Sequence, residues 1–204
     1  MDILVVLEDN HGSLHRMSKE AIAGAQKMGG SISALAIGAN ADAMVGELSG
    51  VDITEVITIN HDLVSSYNAD GYSDVVSQVI KSESPKTIVA GHSYQTRDFM
   101  PRVSAKLDIP FIPDIISMDN GIVKQVLNAK LNALVTTSAD QVILSFQSAT
   151  FSEEAMVTGS CLTRSIEVNL DSSIVRSEAE EPFQEAAGGV DLESAELLVS
   201  IGRG

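Results

Sequence analysis

Apolar and polar residues alternate in blocks along the first half of the chain, and the period of each block names its element. Ile3 to Leu7 is an unbroken apolar run, the pattern of a strand buried on both faces. A polar turn follows, Glu8-Asp9-Asn10-His11-Gly12-Ser13, with Ser13 predicted as the N-cap of a helix. Leu14, Met17, Ala21, Ala25 and Met28 then recur at helical spacing, and Gly29-Gly30 ends that helix because glycine accepts a left-handed C-terminus. Ile32 to Ile37 predicts a second strand, Ala41 to Leu48 a short helix closed by Ser49-Gly50, and Glu55 to Ile59 a third strand. Beyond a loop from Asn60 to Gly71, Tyr72, Val75, Val76, Val79 and Ile80 mark one face of another helix. Lys86 to Ala90 reads as a fourth strand, and Gly91-His92-Ser93-Tyr94 leaves its C-terminal end. Phe99, Val103 and Leu107 mark the next helix, whose Pro101 fits best in the first turn, where its missing N–H costs least. Such repeated βα units predict an α/β fold, a mainly parallel twisted sheet flanked by helices.

The period changes after Ile109. Ile115-Ile116, Ile122 to Leu127, Leu131 to Val135 and Val142 to Phe146 are short strand candidates with no helical pattern between them. Asp119-Asn120-Gly121 is a tight turn of hairpin type, and Ser138-Ala139-Asp140 is a candidate for a second. An antiparallel strand addition to the parallel sheet accounts for this stretch most simply. Ile166 to Leu170 predicts one further strand. The glutamate-rich segment from Ser177 to Gly189, with Pro182 and two glycines, reads as an exposed linker, and Leu197 to Ile201 is a last apolar run.

The net charge of −15 changes the picture of partners. A strongly acidic surface repels nucleic acid and anionic membranes, so neither is expected as a partner, and membrane insertion is not expected either. The plain reading of the charge is a solvated, soluble surface. Cys161 is the single cysteine, which leaves no intramolecular disulfide and reads as a small buried apolar residue. Met1-Asp2 opens directly into the first strand, with no basic, apolar or Arg-rich targeting pattern, and the expected location is a bacterial-type cytoplasm.

Candidate chemistry is sparse. His11 and His15 have the spacing of a metal pair but straddle a turn and a helix, and His61 and His92 stand apart, so surface or capping roles are expected. No catalytic residues and no metal site are expected. No Gly-x-Ser-x-Gly, Walker-type or Gly-x-Gly-x-x-Gly motif is present. Gly91-His92-Ser93 leaves a parallel strand where α/β sheets place ligands, yet one glycine makes a poor phosphate cradle.

A family resemblance starts in that same segment. Ser93-Tyr94-Gln95-Thr96-Arg97-Asp98-Phe99-Met100-Pro101-Arg102-Val103-Ser104-Ala105-Lys106-Leu107 is similar to the "G-(K/R)-(D/N)-L-x-P-R-(V/L)-A-A-(K/R)-L" stretch of the electron-transfer flavoprotein alpha subunits. Ile112-Pro113-Asp114-Ile115 resembles the "x-S-D-(I/V)" that follows it, with Pro113 in place of Ser. The opening Ile3 to Glu8 with Gly12-Ser13-Leu14 resembles "V-x-V-x-x-E-x-x-x-G-x-L", and Lys27-Met28-Gly29-Gly30 resembles the family's "A-x-x-L-G-G". Leu197-Leu198-Val199-Ser200-Ile201-Gly202-Arg203-Gly204 resembles the closing "V-V-S-G-G-R-G". Departures occur at Asn128-Ala129-Lys130, where the family has a Gly, at Gln147 for Arg, at Glu181-Pro182-Phe183 for "R-P-x-L", and at Ile201 for Gly.

The resemblance implies an adenine-nucleotide alpha-hydrolase-like N-terminal domain over residues 1–175, an acidic linker over 176–190, and the start of a FAD domain over 191–204, most of that domain lying outside the chain. It implies an electron carrier rather than a substrate-converting enzyme. The carrier is a heterodimer with a beta subunit that holds AMP, with FAD mainly in the C-terminal domain of the alpha subunit. Acyl-CoA or other flavin dehydrogenases are the implied donors and a quinone reductase or other acceptor the recipient. Of the family's flavin contacts only the Arg of the closing motif, Arg203, falls inside this sequence. The alternative is a stand-alone adenine-nucleotide-binding domain of universal-stress-protein type, binding ATP or AMP at Gly91 to Thr96.

Overall fold

The computed structural model describes residues 1–177 and 197–202. Its first strand is β1 (Ile3–Val6), followed by a small hairpin of β2 (Asp9–Asn10) and β3 (Ser13–Leu14), then helix α1 (Arg16–Met28), strand β4 (Ile32–Ile37), helix α2 (Ala41–Leu48) and strand β5 (Glu55–Ile59). Helix α3 (Ala69–Glu83), strand β6 (Thr87–Gly91) and helix α4 (Tyr94–Leu107) complete the βα pattern, and strands β7 (Phe111–Ser117), β8 (Ile122–Val126), β9 (Leu131–Val135), β10 (Val142–Phe146) and β11 (Leu162–Ser165) follow. The main sheet has nine strands in the order β11-β5-β4-β1-β6-β10-β7-β8-β9. Every neighbour from β11 to β7 is parallel, and only β7–β8 and β8–β9 are antiparallel. The mainly parallel sheet with an antiparallel addition is thus the architecture expected.

Two apolar cores, one on each face of the sheet, follow from the alternation within β1. Ile3 and Val5 join Ala21, Ile22 and Ala25 of α1 and Met44 of α2 on one face. Leu4 and Val6 join Val75 and Val79 of α3 and Phe99 and Val103 of α4 on the other. A strand covered twice has no polar face to show, which is why β1 is apolar throughout and β4 is apolar but for the buried Ser33.

The second half corrects several expectations. Val142–Phe146 is not part of the antiparallel excursion. As β10 it enters the middle of the sheet, parallel to both β6 and β7, because four of its five side chains are buried and need cover on both faces. No strand forms over Ile166–Leu170. The strand lies just before it, as β11, paired in parallel with β5 at the far edge. Ser138–Asp140 joins no hairpin and is exposed, whereas Asp119–Gly121 does turn β7 into β8. Pro101 sits mid-helix in α4 rather than in its first turn, since Ser93 caps the helix by accepting from the Thr96 N–H at 3.1 Å. It is tolerated there on the exposed face, where water can serve the carbonyl it leaves unpaired. Ser13 is in β3, and the N-cap of α1 is His15, whose Nδ1 accepts from the Met17 N–H at 3.2 Å.

An arginine fastens the outer strand. Arg164 of β11 grips Glu55 of β5 through two bonds of 2.9 and 2.8 Å and reaches Glu83 of α3 at 3.0 Å. The hydrogen bond from Arg164 holds the Glu55 carboxyl below its ordinary range, against the opposing effect of burial. A depressed carboxylate pKa contributes stability that is present above the unfolded value and is lost as pH falls through the folded one. Arg164→Met is therefore expected to cost about 1–2 kcal/mol at pH 7, solvent screening keeping it below a fully buried pair. The gap between wild type and variant should narrow below the ordinary Glu value of 4.5. Urea midpoints at pH 7 and at acid pH check both statements; a gap independent of pH would contradict them.

Candidate functional site

Strand order reverses between β1 and β6: the chain runs from β1 to β4 and β5 on one side, then returns to place β6 on the other. Such a switch point opens a crevice at the C-terminal ends of the two strands. Here β1 delivers Glu8 and Asp9, and β6 delivers Gly91, His92 and Ser93. The Ser93 hydroxyl donates to Glu8 Oε2 in a very short bond, and Ser93 Oγ also takes the Thr96 N–H at the start of α4. Asn40 donates to Asp9 Oδ2 at 2.9 Å from the neighbouring loop after β4. Tyr72 closes the floor, its hydroxyl donating to the Ile37 carbonyl at 3.2 Å. Burial foremost, then the charges of Asp9 and Glu8, push the Tyr72 phenol upward, so it stays a protonated donor.

Gly91 answers to packing rather than to a ligand. A Cβ there would lie 2.5 Å from Met17 Cβ and 2.9 Å from the Met17 carbonyl oxygen, so α1 can cross β6 only over a glycine. The mouth above it carries two carboxylates where a phosphate would need donors. Glu8 already occupies the hydroxyl of Ser93, and the Thr96 N–H is spent on the cap.

Beside the crevice, His92 ties three strands together. Its N–H donates to the Phe146 carbonyl at 2.7 Å. Its Nδ1 lies 2.8 Å from Ser145 Oγ, which in turn receives a long bond of 3.4 Å from the Asp114 N–H. Burial, the largest influence, pushes the imidazole down; Asp114 acts upward, Arg97 and Lys124 downward. A neutral ring accepts from the Ser145 hydroxyl at Nδ1 and keeps its proton on Nε2. Ser145 is fully buried, so its hydroxyl lies out of reach of a substrate and the pair positions strands instead.

His15 and His61 are capping residues, as expected: His61 Nδ1 accepts from the Leu63 N–H at 3.1 Å. Among the described residues no group of His, Cys, Asp and Glu is placed to hold a metal, and no helix is long and apolar enough to cross a membrane. Cys161 is half-buried, its thiol pushed up by burial. Arg203 lies outside the described residues. Sequence reading passed over Glu8, Asp9, Asp114 and Ser145 as site residues. The signal for Ser145 was a lone hydroxyl inside an otherwise apolar strand, and for Glu8 its position directly after a buried one.

A family model described as "Electron transfer flavoprotein domain" matches residues 3–169. The chain belongs to this family. Among its relatives, the electron transfer flavoprotein subunit alpha of Bacillus subtilis is 28% identical over 99% of the chain and 64% of its own length. The protein of that name from Thermoanaerobacterium thermosaccharolyticum is 25% identical over all of the chain and 65% of its own length. The acryloyl-CoA reductase electron transfer subunit beta of Anaerotignum propionicum is 24% identical over the same shares. The chain therefore spans slightly under two thirds of the length of these relatives.

In this electron transfer flavoprotein domain the resemblance motifs gain physical meaning. The Pro113-Asp114 step carries Asp114 at φ +61°, a left-handed residue beside an irregularity in the β7–β10 register. Within the Asn128-Ala129-Lys130 departure, Asn128 and Ala129 have φ of +55° and +62°, a conformation that glycine adopts at least cost.

Proposed function

We propose that this chain is the N-terminal part of an electron transfer flavoprotein alpha subunit. It acts as a scaffold for an electron carrier and converts no substrate itself. The observation that carries this reading is collinear similarity: alpha-subunit relatives match 99–100% of the chain along 64–65% of their own length. On this reading residues 1–175 are the α/β domain, 176–190 an acidic connection and 191–204 the start of a FAD domain. A beta subunit carrying AMP pairs with it, flavin dehydrogenases donate electrons, a quinone reductase or other acceptor receives them, and the setting is the cytoplasm.

FAD supplies the redox chemistry in such a carrier, and the protein positions it. Neither the crevice nor the apolar cavity beside α1 fits a FAD site. A surface cavity of about 420 Å³ beside α1 is lined by Gly24, Met28, Met118 and Phe151, and its Lys27 is already paired with Asp119. Nothing there offers the several placed donors that a dinucleotide needs. FAD is accordingly assigned to the C-terminal region of the subunit, with Arg203 as a contact from this chain.

Co-expression with a beta-type subunit tests the reading: the two chains are expected to co-purify in equal amounts. Calorimetric titration of the chain alone with ATP and AMP is expected to show no micromolar binding, in keeping with the acidic mouth of the crevice. Micromolar nucleotide binding without a partner subunit would replace this reading with the stress-protein alternative.

A further inference from the structure

Ile166, Val168 and Leu170 alternate with Glu167 and Asn169 as in a strand, and the apolar set packs on the core under α3 and α4, yet no ladder forms. The last bond to β5 runs from the Ile166 N–H to the Thr58 carbonyl at 3.0 Å. Beyond it the chain lies along α3, so its neighbour is a helix and two side chains take the place of a strand. The Gln78 amide donates to the Asn169 carbonyl at 2.8 Å, and its oxygen accepts from the Asn169 N–H at 3.1 Å. This is the two-way exchange of an antiparallel residue pair, made by one side chain. About two turns earlier in α3, roughly 12 Å away, Asp70 accepts from the Arg176 N–H and guanidinium, both at 3.1 Å, and from Arg102 of α4 at 2.9 Å. Asp74, between the two, pairs with Lys106 and takes an N–H of Gln78 at 2.7 Å.

Packing beneath this segment is thin. Leu170 is buried, whereas Ile166, Val168 and Ile174 are only half-buried. An open cavity of about 280 Å³ lies between Ser173, Ile174 and Arg176 on one side and Ser73 and Asp74 of α3 on the other. A segment held by side-chain bonds over few buried apolar groups is of the kind that opens without unfolding its domain. Arg176 is also the last positive charge before Ser177 to Gly202, a stretch with carboxylates and no Lys or Arg. Its guanidinium is what makes the end of the segment attractive to Asp70.

We propose that residues 167–176 are a strap that opens and closes on α3 as one unit, latched by Gln78 at Asn169 and by Asp70 at Arg176. Opening moves the point where the chain leaves the domain from Arg176 back to Ile166, which adds roughly 35 Å of reach when extended. The strap is a property of this chain alone and stands apart from the heterodimer reading.

Amide hydrogen exchange, followed by NMR in residues 1–204, reads both latches, because the Asn169 and Arg176 N–H groups are bonded to side chains of α3. Both are expected to exchange about a hundredfold or more faster than the amides of β1. Their rates should be nearly independent of dilute urea, since opening a strap exposes little surface. Arg176→Gln is expected to speed exchange at Asn169 about threefold or more, and Gln78→Ala to do the same at Arg176. Lys27→Gln, which breaks the exposed pair with Asp119, should leave both rates unchanged. Exchange at Asn169 and Arg176 as slow and as urea-dependent as in β1 overturns the strap, because it then opens only with the domain. So does a response confined to the substituted latch, which would make the two contacts independent, or a matching acceleration in Lys27→Gln, which would tie exchange to overall stability.

Discussion

Residues 1–204, mixed with excess FAD and passed through gel filtration, are expected to emerge without a stoichiometric flavin band. A cofactor of that size is held by a cleft that covers most of its surface and by several fixed polar groups. The crevice at the strand-order reversal offers the reverse, two carboxylates and a hydroxyl already committed to Glu8. Arg203 is the single contact that the family resemblance assigns to this sequence, and one exposed Arg–phosphate contact is worth about 1–3 kcal/mol. That is roughly ten- to a hundred-fold in affinity, several orders short of a tight site. Aromatic surface for stacking an isoalloxazine is also scarce, with five Phe, three Tyr and no Trp. Supplying the C-terminal region of an alpha subunit should restore the band, and Arg203→Ala in that longer protein should weaken it. A one-to-one flavin spectrum from residues 1–204 alone would place a flavin site inside the chain and sink the assignment.

Gly91→Ala is expected to destabilise the fold by about 2–3 kcal/mol, which for a chain of this size lowers Tm by roughly 5–10 °C. The added methyl would meet the backbone of α1 at Met17, and a helix cannot swing aside as a flexible side chain would. Moving α1 would disturb its packing on β1 as well. Gly46→Ala supplies the opposite sign. A Cβ at Gly46 meets nothing within 4 Å, and the position lies inside α2. Relief of the glycine penalty there should stabilise by about 0.5–1 kcal/mol. Thermal unfolding of the two variants should move in opposite directions. Equal shifts would mean that the β6–α1 approach is looser than described.

The first half of the chain was legible because each element announces itself locally. Buried parallel strands are mostly apolar, helices show one stripe, and a glycine pair marks the end of α1. Val142–Phe146 was placed with its sequence neighbours because local pattern holds no record of which strands lie alongside. Its continuous apolar run, broken only by Ser145, was the one hint of a central position. The β11 strand was harder still. Leu162-Thr163-Arg164-Ser165 is mostly polar and half-open, and it is a strand through pairing with β5 and the Arg164 grip, both long-range. Pro101 misled because its cost depends on whether the bereaved carbonyl faces water, which sequence does not state. Gly91 was weighed only as a poor phosphate cradle; the neighbour that requires a glycine there, the α1 backbone at Met17, is not written in the local sequence. The rest of the crevice escaped for a related reason. Glu8 and Ser93 are 85 positions apart and acquire meaning only when β1 and β6 lie side by side.

The insertion of β10 between β6 and β7 sets an order in time. Chain synthesis runs from the N-terminus, so β7 is made well before the strand that joins it to the parallel sheet. Until Phe146 has emerged, β6 presents one open edge, and β7 with its hairpin has no place on the sheet. The opposite flank waits longer, since β5 lacks its outer neighbour until Ser165. A nascent chain of this kind carries unpaired edges on both sides of a finished centre, the condition under which strands recruit the wrong neighbour. The polar, tightly gripped β11 is suited to that position: it covers β5 and leaves as the sheet's outer edge a strand with little apolar surface to offer.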